Sequence, residues 1–356
     1  MAYLDANATE PLRPEARAAV LTALDLRGNP SSVHAAGRAA RRVLEDSRAA
    51  IATRFGAGPE SVVFTSGGTE ADALAVAGLG AGRRLIIGAT EHDAIRAAAP
   101  GAEILPVDRD GVADLEALDR LLDGRAALVC LMLANNETGT IQPIAEAAAL
   151  CRRRGALLHV DAVQAAGRTP VDLRALGADS MALSSHKLGG PKGAGALLLA
   201  EEREIGPLIA GGGQERGRRG GTPALPAIAG FAAAAALPCA DLAPLRDAIE
   251  REAVEAGAIV LGGPNRLPNT SALALPGVRA ETQVIALDLA GIEVSAGAAC
   301  SSGKVARSHV LEAMGLGPLS GEAIRVSLPW NAGWDDVEEF VAAYRSMAAR
   351  LGRRAA

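Results

Sequence analysis

Asp179-Ser180-Met181-Ala182-Leu183-Ser184-Ser185-His186-Lys187 reads as a short apolar strand ending in a polar tetrapeptide, after which Gly189-Gly190-Pro191-Lys192-Gly193 turns the chain. Similar apolar runs stand on both sides of it: Val62-Val63-Phe64, Leu85-Ile86-Ile87, Ile104 to Val107, Ala127 to Leu133, Leu157-Leu158-His159-Val160 and Gly195 to Leu199. Helical patterns lie between most of them, such as Thr69 to Ala77, Leu115 to Leu122 and Ile144 to Arg153. Continuous apolar strands alternating with helices predict an α/β fold whose mostly parallel sheet is covered by helices. Two helices are expected before the sheet. One runs from Pro14 to Leu26, and one from Val33 to Phe55, opened by Ser31 or Ser32 and closed at Gly56.

From about Asp241 the pattern changes. An amphipathic helix at Leu245 to Ala256 leads to strands near Ile259, Ser271 to Leu275 and Glu293 to Ser295. Helices are expected at Glu281 to Leu289, Val305 to Met314 and Asp335 to Arg350. The chain therefore divides into a large unit, 12–240, and a smaller α+β unit, 241–356, with segment 1–11 packing near the latter. Its 356 residues suit one large and one small domain.

Aromatic residues make up 2% of the chain and the net charge is -5 without a long basic block, which argues against a nucleic-acid partner. The N-terminus lacks the pattern of a signal peptide, and no apolar run reaches the length of a membrane span. Four scattered cysteines, Cys130, Cys151, Cys239 and Cys300, form neither a disulfide framework nor a metal pattern. A cytoplasmic protein without metal or membrane partner is expected.

Chemistry-bearing residues gather where strands end. Lys187, after Ser and His and before a Gly-rich turn, could hold pyridoxal phosphate as a Schiff base; a solvated lysine is the alternative. Thr65-Ser66-Gly67-Gly68-Thr69-Glu70 follows a strand and opens a helix, a pattern that cradles phosphate through backbone N–H groups. Asp161 ends a strand and could keep a pyridine nitrogen protonated or cap a helix. Gln164 lies close enough to reach the same ring. Asn135 to Gly139 and His92 also follow strands. Cys300, flanked by small residues, is the best nucleophile candidate of the four thiols. Arg325 stands inside the apolar strand Ala323 to Leu328, where its fork calls for an anion, either a substrate carboxylate or a structural carboxylate.

Together these segments resemble the cysteine desulfurases of the NifS/IscS type, within the fold-type I, class V aminotransferase-like pyridoxal phosphate enzymes. The resemblance runs from Tyr3-Leu4-Asp5-Ala6-Asn7-Ala8-Thr9 almost to the C-terminus, through Gly28 to Ser32, Thr65 to Glu70, Glu91-His92, Asn135 to Gly139, His159 to Gln164, Ser184 to Lys187, Gly211 to Thr222, Pro268-Asn269-Thr270 and the Cys300 loop. It implies that L-cysteine is converted to L-alanine and that Cys300 takes the sulfur as a persulfide. It implies that Lys187 carries the cofactor and moves protons, that His92 stacks on the ring, and that Asp161 and Gln164 meet its nitrogen and oxygen. Gly68, Thr69, Ser184 and His186 would hold the phosphate, and Asn136 would contact cofactor or substrate. Arg325 would bind the substrate carboxylate. Thr222 would reach the phosphate in the other subunit of a homodimer. A sulfur-acceptor protein, an iron–sulfur scaffold or a sulfur carrier, is implied as partner.

Ala73 replaces a frequent Asn, Leu188-Gly189 replaces a bulkier pair, and the segment after Arg325 is shorter than in members that dock a scaffold. The last departure leaves the acceptor open. A selenocysteine lyase, or another class V aminotransferase or lyase, shares these features. A non-enzymatic binding protein would be expected to lack Lys187, Asp161 or Arg325.

Overall fold

The computed structural model describes residues 1–200, 203–297 and 307–355, the last four of these by backbone alone. A seven-stranded sheet runs in the order Val62–Thr65, Gly195–Leu199, Ser180–Ser184, Leu157–Asp161, Ala127–Met132, Arg84–Gly88, Glu103–Leu105. Only Gly195–Leu199 is antiparallel to its neighbours, so the other six strands share one direction. The inner strands Ala127–Met132, Leu157–Asp161 and Ser180–Ser184 are buried along their whole length. That is why they read as apolar runs without alternation.

Two cores sandwich this sheet. On one face Val129, Leu131, Leu158 and Val160 pack with Leu44 and Ile51 of helix Ala35–Arg54 and Phe231 of helix Leu225–Ala235. On the other, Leu128, Ala182 and Leu197 meet Ala71, Leu74 and Ala75 of helix Gly68–Leu79. Because the six strands are parallel, their C-terminal ends lie along one edge, where the loops of an open α/β sheet hold ligands.

Farther along, Ile259–Leu261, Thr270–Ala274 and Ala323–Ser327 form a three-stranded antiparallel sheet with Thr270–Ala274 in the middle. Helices Ala243–Glu255, Ala280–Asp288 and Trp334–Ala355 share a separate core that includes Leu245, Leu287, Phe340 and Tyr344. Ala2 and Leu4 belong to that core, and Ala2–Tyr3 pairs in parallel with Ile292–Glu293.

Some local expectations need correction. The long second helix begins at Ala35, and its cap is His34, whose Nδ1 accepts from Gly37 N–H at 3.2 Å. Ser31 and Ser32 are drawn instead into a turn closed on Asn29. The helix expected from Val305 starts at His309 within the described residues. Two short helices, Asp93–Ala98 and Leu173–Leu176, were not expected.

Candidate active site

A cavity of about 600 Å³ opens at the C-terminal edge of the large sheet. Its first wall is the turn between Val62–Thr65 and Gly68–Leu79. Thr65 Oγ1 donates to Gly67 O at 2.9 Å, and Glu70 Oε2 accepts from Ser66 N–H at 2.8 Å, so the turn is tied from both ends. Gly195 makes room for it: a Cβ there would lie 2.6 Å from the Gly67 carbonyl carbon. A Cβ on Gly68 would meet Val163 at 2.7 Å, whereas one on Gly67 would meet nothing. The turn can therefore take an anion against the first turn of a 12-residue helix. Facing it is Ser184, whose buried Oγ has no hydrogen-bond partner among the described residues, together with His186.

Asp161 lies on the floor. Its Oδ1 accepts from Val163 N–H at 2.8 Å. Burial, and next the nearby Asp72 carboxyl, push it up to about 7, against the pull of that backbone bond, His92 and His159. His92 caps Asp93–Ala98, with Nδ1 accepting from Ala94 N–H at 3.1 Å. Asn136 and Gln164 also face the cavity. Gln164 is held on both sides: its Oε1 accepts from Arg168 at 2.6 Å and its Nε2 donates to Asn7 O at 3.1 Å. His186 Nδ1 lies 3.2 Å from Thr9 Oγ1, and burial plus the adjacent Lys187 bring it down to about 4.

The segment before residue 10 completes the wall. Lys187 Nζ donates to Asn7 O at 2.5 Å and Ala8 O at 3.0 Å. Asn7 itself is fixed from three directions. Its N–H donates to Ser327 Oγ at 3.0 Å, and its Nδ2 donates to Asn136 O and Thr270 Oγ1, each at 3.0 Å. Asn7 thus joins both sheets to the lysine.

The cavity brings together Gly68, Thr69, His92, Asn136, Asp161, Gln164, Ser184, His186 and Lys187. Arg325 and Thr222 are not among its lining residues. The guanidinium of Arg325 is buried behind Asn136, donating through Nη1 to Asn136 O at 3.2 Å and through Nη2 to Asp5 Oδ1 at 2.7 Å. Of the two partners left open by the sequence, the structural carboxylate is in place. Thr222 is exposed on a neighbouring recess that shares Ser66 and Gly193 with the cavity. Cys300 lies outside the described residues. Sequence reasoning gave no role to Asp5 or Glu91 and missed Asp72. Asp72 carried a usable signal, a carboxylate on the otherwise apolar buried face of helix Gly68–Leu79.

Comparison with known proteins agrees with this architecture. The family model for class-V aminotransferases matches residues 2–340. A cysteine desulfurase of Cereibacter sphaeroides is 45% identical, with 92% of this chain and 90% of the relative covered. The IscS-like cysteine desulfurase of Mycobacterium tuberculosis is 39% identical, covering 100% of this chain and 98% of the relative. Among solved structures, a NifS-like protein from Rickettsia africae superposes with a TM-score of 0.91 at 35% identity, over 98% of this chain and 99% of that one.

Proposed function

This chain belongs to the class-V aminotransferase family, and from that premise we propose that it is a pyridoxal phosphate-dependent cysteine desulfurase, converting L-cysteine to L-alanine with transfer of sulfur to Cys300. The observation that carries the reading is the convergence of Lys187, Asp161 and the Ser66-Gly67-Gly68-Thr69 turn on one cavity. The family implies the cofactor, and the residues present suit it. An anion cradle, a buried hydroxyl on Ser184 without a partner among the described residues, a floor carboxyl and a lysine amine match a phosphate, a ring nitrogen and an aldehyde.

Ser66, Gly67, Gly68, Thr69, Ser184 and His186 hold the phosphate in this reading, and Thr222 approaches the phosphate of the partner subunit in a homodimer. His92 covers the ring and Gln164 meets its oxygen. When bound, the cofactor supplies a protonated ring that accepts electron density from the substrate Cα. Asp161 keeps the proton on the ring nitrogen.

Lys187 would hold the cofactor through its amine and, with substrate bound, would remove and return protons at the substrate Cα. Its two backbone acceptors, Asn7 O and Ala8 O, orient the amine. Arg325 takes the substrate carboxylate beside Asn136. The Cys300 thiolate attacks the cysteine sulfur, a sulfur–sulfur bond forms, and the carbon–sulfur bond breaks with its electron pair moving toward carbon. A proton delivered by Lys187 leaves alanine. The persulfide then needs an acceptor, which we infer to be an iron–sulfur scaffold or sulfur carrier. Among the described residues no helix is long and apolar enough to cross a membrane.

Incubation of the cofactor-loaded protein with L-cysteine and a reductant tests the proposal. Alanine and sulfide in equal amounts, both lost in Cys300→Ala, are expected. Turnover retained by that variant would overturn the persulfide step.

A further inference from the structure

Around Asp161 lies a set of buried titratable side chains, His159, Asp72 and Glu91, that the mechanism above does not use. His159 and Asp161 are two residues apart on one strand, so they project from the same face of the sheet. Helix Gly68–Leu79 packs on that face and brings Asp72, which lines the cavity together with Asp161. His159 Nε2 lies 3.1 Å from Asp72 Oδ1, and His159 Nδ1 lies 2.8 Å from Ser180 Oγ on the adjacent strand. His159 and Asp72 are 0% and 1% exposed. A third carboxyl, Glu91, is also 0% exposed. Its Oε1 accepts from Met132 N–H at 2.7 Å, and its Oε2 has no partner among the described residues.

Three neighbouring buried carboxyls cannot all be ionised. The hydrogen bonds distinguish them. Asp161 receives a backbone N–H, which favours its charged form. Asp72 faces a histidine nitrogen able to accept a proton from it.

We propose that Asp72 and His159 are positioning residues for the Asp161 carboxylate. Asp72 is protonated and donates to His159 Nε2, His159 Nδ1–H donates to Ser180 Oγ, and the single negative charge of the floor stays on Asp161. The proposal rests on the reading of Asp161 as the ring-nitrogen partner.

Burial shifts agree with this order. Asp72 is pushed up to about 8, and His159 is brought down to about 4 and stays neutral. Glu91 is raised well above the usual carboxylate range, first by burial and then by Asp161 and Asp72. Other titratable groups nearby are Cys130, itself raised by burial, His309, whose Nε2 lies 3.1 Å from Glu91 O, and Glu70, His92, His186, Lys187 and Lys192 on the cavity side. Helix Asp93–Ala98 adds only Asp93 and Arg96, which pair with each other near the surface.

Infrared difference spectroscopy of the cofactor-loaded protein at neutral pH, with Asp72→Asn and Asp161→Asn alongside, tests the assignment. Asp72→Asn is expected to lose one protonated-carboxyl band and to keep the wild-type cofactor absorption, because an amide can still donate to His159. Asp161→Asn is expected to keep that band and to shift the cofactor absorption. The proposal is overturned if Asp161→Asn is the variant that loses the protonated band. It is also overturned if Asp72→Asn shifts the cofactor absorption as Asp161→Asn does. Wild-type protein that acquires no cofactor absorption when pyridoxal phosphate is added would instead sink the functional reading, while the infrared comparison would still locate the charge.

Discussion

Arg48 grips Glu215 through two parallel hydrogen bonds, at 2.7 and 2.8 Å, and both side chains are almost fully buried. Glu215 also accepts from Phe64 N–H at 2.9 Å, which ties it to the strand that leads into the Ser66-Gly67-Gly68-Thr69 turn. The clamp holds an unusual piece of backbone. Glu215 and Arg216 have φ of 48° and 59°, the left-handed region that residues other than glycine seldom enter. Such conformations persist when surrounding contacts over-determine them. Glu215→Gln strips the buried guanidinium of its bidentate partner and leaves it the half-exposed Glu45 at 3.0 Å, and a loss of about 3 kcal/mol is expected in urea unfolding. Replacing both partners, Arg48→Met with Glu215→Leu, should recover much of that loss. A double variant less stable than either single one would refute the clamp.

Arg325 is poised between Asp5 and Asn136 O, and its proposed task is to hold the substrate carboxylate. Arg325→Lys keeps the charge and loses the planar fork. We expect KM for L-cysteine to rise about tenfold, equivalent to about 1.4 kcal/mol of binding, with kcat within a few-fold of wild type. An unchanged KM would leave Arg325 as a structural partner of Asp5 alone.

The attachment of cofactor to Lys187 can be read by mass. Borohydride treatment of the loaded wild-type protein should fix one cofactor per chain, on the peptide containing Lys187. Lys187→Ala should gain no mass under the same treatment. A persistent adduct in the variant would move the attachment to another lysine.

The pH dependence of stability should reveal Asp72. Its folded value of about 8 lies above the ordinary 3.8. Between those values the folded state keeps a proton that the unfolded state has lost, so the unfolding free energy falls as pH rises through that window. Below it both states are protonated, and above it both are ionised. An amide at this position carries no titrating proton, so the stability of Asp72→Asn should gain on wild type as pH rises, by up to about 1.4 kcal/mol per pH unit. Chemical denaturation of the cofactor-free proteins at several pH values would measure the gap. Parallel curves would mean that Asp72 is ionised in the fold.

Much of the large sheet was legible because its inner strands are covered on both faces. Burial on both sides leaves continuous apolar runs such as Ala127–Met132, and glycines mark the helix ends that follow. The edge of the site was legible for the same reason: polar residues placed directly after such runs must lie at the strand ends. Other features depend on contacts distant in sequence. Nothing near Arg325 announces that Asp5 is its partner, and nothing near Asn7 announces its bond to Ser327. At His34 two local signals competed. The Asn29–Ser32 turn claimed the serines, so the cap moved to the histidine.

The role of Asn7 also bears on the order in which the protein assembles during synthesis. Translation delivers residues 5–9 long before their seats exist. The amine of Lys187 follows Asn7 by 180 positions, and Ser327 and Arg325 each lie 320 positions from the residue they fix. Strands between Val62 and Leu199 can pair while the ribosome is still working on the second sheet, and Gln164, Arg168 and Lys187 already offer partners to the early segment, but Asp5 and the Asn7 N–H must wait for theirs. Closing so large a loop is entropically slow. The acceptors of Lys187 are therefore fixed from every side only once the strand Ala323–Ser327 has emerged and Ser327 holds the Asn7 N–H.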